Sequence, residues 1–229
     1  MVKENYERIL QALKPGVRLV AVSKYKPVSD IRSVYDWGQR IFGENKAQEM
    51  KAKHPELPSD IEWHFIGHLQ SNKIKYIAPF VTLIHSIDSF ALLQEVDKMA
   101  AKSQRVIPCL LQFHIAQEET KFGFLREEAD RMLDSEAFAD LKNVRIDGVM
   151  GMATFTEDRA QVRSEFVGLH KEFDYLKSRY FSGAEHFKEI SMGMSEDYQI
   201  AMEEGSTLVR IGSSIFGPRD YSLKLEDLV

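Results

Sequence analysis

The chain has 229 residues, 44% of them hydrophobic and 28% charged, which is the composition of a globular protein and excludes a disordered or fibrous one. Thirty Lys and Arg stand against 35 Asp and Glu, a net charge of −5, so broad electrostatic binding to nucleic acid or to an anionic membrane is not expected. The lone cysteine, Cys109, can form neither an internal disulfide nor a thiolate zinc site, and a reducing compartment follows as the natural setting.

The first residues, MVKENYERILQAL, are charged and amphipathic and lack the apolar stretch of a signal peptide. No run approaches the ~18 apolar residues of a membrane span. A cytoplasmic protein is expected.

In chain order, a helix over Tyr6–Leu13 stops at Lys14-Pro15-Gly16. Strands are predicted at Val17–Ser23, Arg40–Phe42, Trp63–Ile66, Thr82–Ile87, Val106–His114, Arg145–Met150, His186–Met192 and Leu208–Ile211. Several (VRLVAVS, VTLIHSI, VIPCLLQF) are nearly continuous apolar runs, as strands buried on both faces of a parallel sheet are.

Helical patterns alternate with these strands. Ser29 is expected to cap Asp30–Trp37, and Asp88 a helix through Ala100 that carries Leu92, Leu93, Val96 and Met99. From Asp158 to Tyr180 the apolar residues Val162, Phe166, Leu169, Phe173, Leu176 and Tyr180 recur every three or four positions, one face of a 3.6-residue period.

Eight strand–helix repeats fit an α/β fold, a single-domain (β/α)8 barrel spanning 1–229. An open doubly wound sheet is the alternative, because alternation does not distinguish closure. SKYKP follows the first strand where a dinucleotide fold needs a glycine-rich turn.

Barrels gather their reactive groups at the C-terminal ends of the strands. One such end presents Lys24, where partial desolvation would make an amine nucleophilic toward an aldehyde or ketone; the alternative is a lysine that merely opens a surface loop, as Lys26 is read. The last two strands run into MGMS and RIGSS, small-residue turns suited to an anion. Ser195 serves in this reading as anion ligand, as cap of a helix Glu196–Glu203, or as both.

A strand-1 lysine facing a phosphate cradle on strands 7 and 8 suits a phosphorylated carbonyl ligand. Pyridoxal 5′-phosphate (PLP) and a sugar phosphate both fit. His64 and His68 stand four apart, but Gly67 and the strand context spoil a helical zinc pair. The other histidines are scattered and read as ordinary polar residues, and Cys109 reads as an inert core thiol.

The segments VAVSKYKP, FGENKAQE, WHFIGHLQSNKIK, GVMGMATF and ISMGMSEDYQIAMEEGSTLVRIGSSIFGPR resemble the pyridoxal phosphate homeostasis (PLP-binding) protein family, itself related to the N-terminal barrel of bacterial alanine racemase. The resemblance runs from about Val20 to Arg219. It implies PLP held as an internal aldimine on Lys24, with the phosphate on Ser195 and on the backbone of Gly212 and Ser213. It further implies Arg210 facing the pyridine nitrogen, and Asn45, Ile66 and Met152 lining the pocket. GVMGMA departs slightly from the family pattern around Met152, and Ser213 stands where threonine is common.

A guanidinium has no acceptor and stays protonated, so Arg210 would donate to the ring nitrogen and leave it a weak electron sink. The resemblance therefore implies a protein that buffers or delivers PLP, with apo-enzymes as transient partners; a PLP-dependent racemase is the alternative. Racemisation needs a second base, which alanine racemases take from a separate C-terminal domain. The chain ends at Val229, which leaves no room for one, and Tyr25, next to Lys24, is expected to point the opposite way.

Overall fold

In this computed structural model, residues 1–117, 122–218 and 220–229 are described. Helix α1 (Val2–Ala12) precedes strand β1 (Arg18–Val22); then follow α2 (Val28–Asp36), β2 (Ile41–Glu44), α3 (Ala47–Lys53), β3 (Glu62–Phe65) and β4 (Leu83–Ile87). The second half runs α4 (Phe90–Lys102), β5 (Ile107–Gln112), α5 (Arg126–Leu133), α6 (Glu136–Ala139), β6 (Val144–Met150), α7 (Arg159–Arg179), β7 (Glu189–Ser191), α8 (Tyr198–Glu203), β8 (Leu208–Ile211) and α9 (Ser213–Phe216). The connection from β3 to β4 is a short 3-10 segment, Ser71–Tyr76.

The eight strands form one closed barrel in chain order, all parallel, and β1 completes the ring by pairing with β8 from Arg18↔Leu208 to Ala21↔Ile211. The expected (β/α)8 barrel is thus the fold, and the open sheet is not. Strand alternation divides the buried side chains in two. Ala21, Phe42, Trp63, Phe65, Ile84, Cys109, Leu111, Val149 and Ile211 join the main core between strands and helices. Val20, Ile41, Leu83, Leu110, Met150 and Leu208 form a separate cluster, which alternation places inside the ring.

Helix α7 shows how the pattern becomes packing. Asp158 caps it by accepting from the N–H groups of Ala160 and Gln161, and Val162, Phe166, Leu169 and Leu176 are buried. Each such side chain is worth about 1.5–3 kcal/mol on burial.

Three expected caps are not the observed ones. Helix α2 starts one residue past Pro27, whose fixed φ and carbonyl already open the helix, so Ser29 lies inside the first turn and its carbonyl accepts from the Ser33 hydroxyl. Ser89 rather than Asp88 caps α4, accepting from Leu92 N–H. Ser195 caps nothing: a turn intervenes, and α8 begins after Asp197. Strand β7 is also shorter than expected, because Phe187 leaves the ladder to stack on Phe173 and Phe181.

Candidate functional site

The C-terminal ends of β1, β2, β3, β6, β7 and β8 surround one cavity of about 400 Å³. Lys24, Asn45, Ile66, Met152, Ser195, Arg210, Gly212 and Ser213 all line it, so the structure brings together the eight residues that the resemblance assigns to the pocket. Arg219, which ends the resembling segment, lies outside the described residues. Tyr25 is not part of the lining; its ring packs edge-on against Tyr221 and beneath the Lys46 ammonium.

The MGMS turn is built by its glycine and by Asp197. Gly193 has φ +94°, and a Cβ there would come within 2.5 Å of the Ala201 Cβ, so only glycine lets the chain pass so close to α8. Asp197 accepts from Met194 N–H at 2.6 Å and the Gly193 carbonyl accepts from Arg210 N–H at 2.9 Å, which ties the turn to β8. Ser195, free of any capping duty, stands with its Oγ 3.1 Å from that of Ser213. Two hydroxyls at that spacing can serve one anion.

Across the cavity, Asn45 is set by close backbone contact: a Cβ on Gly67 would lie 2.3 Å from the Asn45 carbonyl oxygen. Its side-chain Oδ1 is buried with no hydrogen-bond partner in the protein, a costly condition that a ligand donor would relieve.

Arg210 enters the ring from β8 and is 4% exposed. It donates to Ser191 Oγ at 2.6 Å and to the Gly151 carbonyl at 3.2 Å. Burial pushes its guanidinium down to about 10, against a smaller opposing pull from Asp197, so it remains charged at neutral pH. Behind it, Ser191 Oγ lies 2.8 Å from His85 Nδ1, and His85 Nε2 lies 2.9 Å from His64 Nδ1. Burial, then Arg18, lowers His64 to about 3; His85 is lowered by burial first and then by His64, Arg210 and Arg18. Both imidazoles are neutral, and a polar chain of four residues crosses the apolar barrel interior. Sequence reading missed this chain because its members lie far apart, 106 residues between His85 and Ser191.

A second polar group lies behind the wall at Lys24. Lys53 is fully buried and donates to Glu44 at 2.9 Å, to Glu49 at 2.7 Å and to the Ser23 carbonyl at 2.9 Å. The Ser23 hydroxyl donates to Glu44 at 2.7 Å. Burial holds the Glu44 carboxyl well above the usual range, against the pull of Lys53. Tyr25, with φ +59°, occupies a region that costs a residue other than glycine about 1 kcal/mol or more, and its N–H donates to Glu49 at 2.7 Å. The expected barrel-mouth lysine is thus flanked on both sides by anchored peptides.

Among the described residues no group of His, Cys, Asp or Glu could hold a metal ion, and no helix is long and apolar enough to cross a membrane. Cys109 is fully buried and its thiol is pushed up by burial, with a smaller push from Asp147, which makes it unreactive.

The family described as alanine racemase, N-terminal domain, matches residues 1–220. A pyridoxal phosphate homeostasis protein of Aquifex aeolicus is 40% identical over 205 residues, 89% of this chain and 88% of the relative. One from Escherichia coli K12 is 37% identical over 212 residues, 91% and 88% respectively. Among solved structures, PipY of Synechococcus elongatus with PLP bound is 34% identical, with a TM-score of 0.85 over 95% of this chain and 100% of that one. An alanine racemase of Streptomyces coelicolor shares the fold alone, at 16% identity and a TM-score of 0.73 over 94% of this chain and 57% of that one. With a barrel and a cavity of this layout, the chain belongs to the alanine racemase N-terminal domain family, among the pyridoxal phosphate homeostasis proteins.

Proposed function

We propose that residues 1–229 form one PLP-binding barrel unit that holds the coenzyme in this cavity and serves in its homeostasis, by buffering it or passing it on. The observation that carries this reading is the meeting in one cavity of an amine, a guanidinium and a hydroxyl pair from distant strand ends, beside the unpartnered Oδ1 of Asn45. The residues fit the group. Ser195 and Ser213, with the backbone of Gly212, would take the phosphate; Arg210 would face the ring nitrogen; and Asn45, Ile66 and Met152 would border the ring. Bound there, the coenzyme would supply an aldehyde, and Lys24 would present its amine to it. The names and the PLP-bound structure of the relatives support the same choice.

The protein's own residues favour retention over turnover. A protonated Arg210 would donate to a ring nitrogen without protonating it fully, which would limit carbanion stabilisation. Ser191, fixed by His85, holds the guanidinium in place. We further propose that the coenzyme passes transiently to apo-enzymes and that the protein acts in the cytoplasm.

The test is borohydride reduction of the purified, PLP-loaded protein followed by peptide mass analysis. A phosphopyridoxyl increment on Lys24 is expected. Absence of any increment, or its placement on another lysine, would overturn the assignment.

A further inference from the structure

We infer that the buried group Lys53, Glu44 and Glu49 is a positioning device for Lys24: it grips the peptides on either side of that residue and so presents its amine to the cavity. The inference rests on the PLP reading above and concerns residues that do not themselves line the cavity.

The bonds of the group converge on one short turn. Before Lys24, the Ser23 carbonyl accepts from Lys53 and the Ser23 hydroxyl donates to Glu44, while Ser23 N–H stays in the barrel ladder, on the Gly43 carbonyl. After it, Tyr25 N–H donates to Glu49. The carbonyl of Ser23 also accepts from Lys26 N–H at 3.0 Å, closing the turn. Glu49 and Lys53 project from one face of α3, four residues apart, and Glu44 ends β2 directly before the cavity residue Asn45.

Stability alone does not account for this arrangement. A buried ion group gains little over apolar side chains of the same volume, because desolvation offsets the attraction. Its bonds to Ser23 and Tyr25 do what apolar residues cannot: they fix the orientation of two peptide planes. The left-handed Tyr25 needs that restraint, since a residue with a Cβ, once released, relaxes to commoner backbone angles. Such relaxation would swing the residue before it, Lys24, off the barrel axis.

The experiment compares wild type with Glu49→Ala, Glu49→Gln, Tyr25→Gly and the double variant Glu49→Ala/Tyr25→Gly. Removing Glu49 leaves Lys53 paired with Glu44, so the chain is expected to fold; Glu49→Met, which fills the volume, replaces the alanine variant if it does not. Three quantities are read: the rate of covalent attachment at Lys24 by borohydride trapping and mass, the affinity for pyridoxamine 5′-phosphate, which lacks the aldehyde, and hydrogen exchange of the Ser23 and Lys26 amides, whose acceptors are the Gly43 and Ser23 carbonyls.

Glu49→Ala is expected to slow attachment by about tenfold to a hundredfold, as for a displaced reacting group, while pyridoxamine 5′-phosphate binds within about threefold of wild type, a small change beside a lost charged hydrogen bond. Glu49→Gln keeps an acceptor for Tyr25 N–H and should retain attachment. Tyr25→Gly, at ease with a positive φ, should restore attachment and slow exchange in the double variant. Attachment at the wild-type rate in folded Glu49→Ala would overturn the inference, as would equal loss of both ligands without rescue by Tyr25→Gly. If wild type itself forms no adduct, the PLP reading fails. The exchange data then still decide whether Glu49 holds the turn: fast exchange of the Ser23 and Lys26 amides in Glu49→Ala, restored in the double variant, supports it, and unchanged exchange refutes it.

Discussion

His85 and His64 share a single hydrogen bond, Nε2 to Nδ1 at 2.9 Å, inside a closed ring of strands. Arg210 donates to Ser191, which leaves the Ser191 hydroxyl to donate to His85 Nδ1. His85 then carries its proton on Nε2 and gives it to His64 Nδ1. One directed chain satisfies each link with both rings neutral.

That neutrality has a pH signature. Both imidazoles are held below their ordinary value, His64 at about 3, whereas in the unfolded chain they take up protons near about 6.5. The unfolded state therefore binds more protons as pH falls below that value, and stability is lost with acidification. Between pH 7 and 5 the loss from His64 should be about 2 kcal/mol, with a further loss of the same sign from His85. Urea unfolding of wild type and of His64→Phe/His85→Met at both pH values isolates it from other titrating groups. Parallel pH dependences would mean that the rings are hydrated or charged in the fold.

Lys24→Ala should abolish the absorbance of the coenzyme–lysine bond and the borohydride-stable mass increment. The half-buried side chain opens on the cavity, so truncation should change stability by less than about 1 kcal/mol. A retained spectrum would move the attachment to another lysine.

Ser195→Ala should weaken retention of PLP about tenfold to a hundredfold, the worth of one hydrogen bond to a charged group, and leave pyridoxal retention nearly unchanged. Because Ser195 caps no helix, thermal unfolding should not move. Equal loss of both ligands would instead assign the hydroxyl to folding of the turn.

Racemisation should be inefficient. It needs a base on each face of a planar carbanion, and among the described residues lining the cavity there is no tyrosine, histidine or cysteine. Asp197 is committed to Met194 N–H, Lys26 to the carbonyls of Phe216 and Pro218, and Glu196, the other carboxylate of the lining, is exposed to solvent. A missing acid–base partner costs about 10²–10⁴ in rate. Deuterium exchange at Cα and chirality, followed over a panel of L-amino acids, check this; turnover above about 1 s⁻¹, ordinary for enzymes, would favour the racemase alternative.

The barrel was legible because its strands are buried on both faces: VRLVAVS announces β1 with no partner in view. Closure was not legible, since it depends on β1 meeting β8 some 190 residues later. The cavity residues could be named because strand ends and small-residue turns are local signals. Lys53 could not, because a lysine four residues after a glutamate on a short helix reads as a solvated pair, and only tertiary packing reduces its exposure to zero. The capping errors at Ser29 and Asp88 came from neighbours: Pro27, two residues before Ser29, takes the N-cap position of α2, and Ser89, one residue after Asp88, caps α4 with its hydroxyl.

The seam between β1 and β8 has a consequence for how the protein matures. Lys24 and Lys26 belong to the first strand–loop unit, whereas Ser195, Arg210 and Ser213 belong to the last two, and Lys26 reaches the Pro218 carbonyl across 192 positions. During synthesis the amine therefore emerges from the ribosome long before the residues that would receive an anion. Until the final strand docks, a nascent chain can offer an aldehyde only a solvated lysine like any other. Selective capture of the coenzyme is in this sense a late event, and the appearance of its spectrum would serve as an optical clock for ring closure.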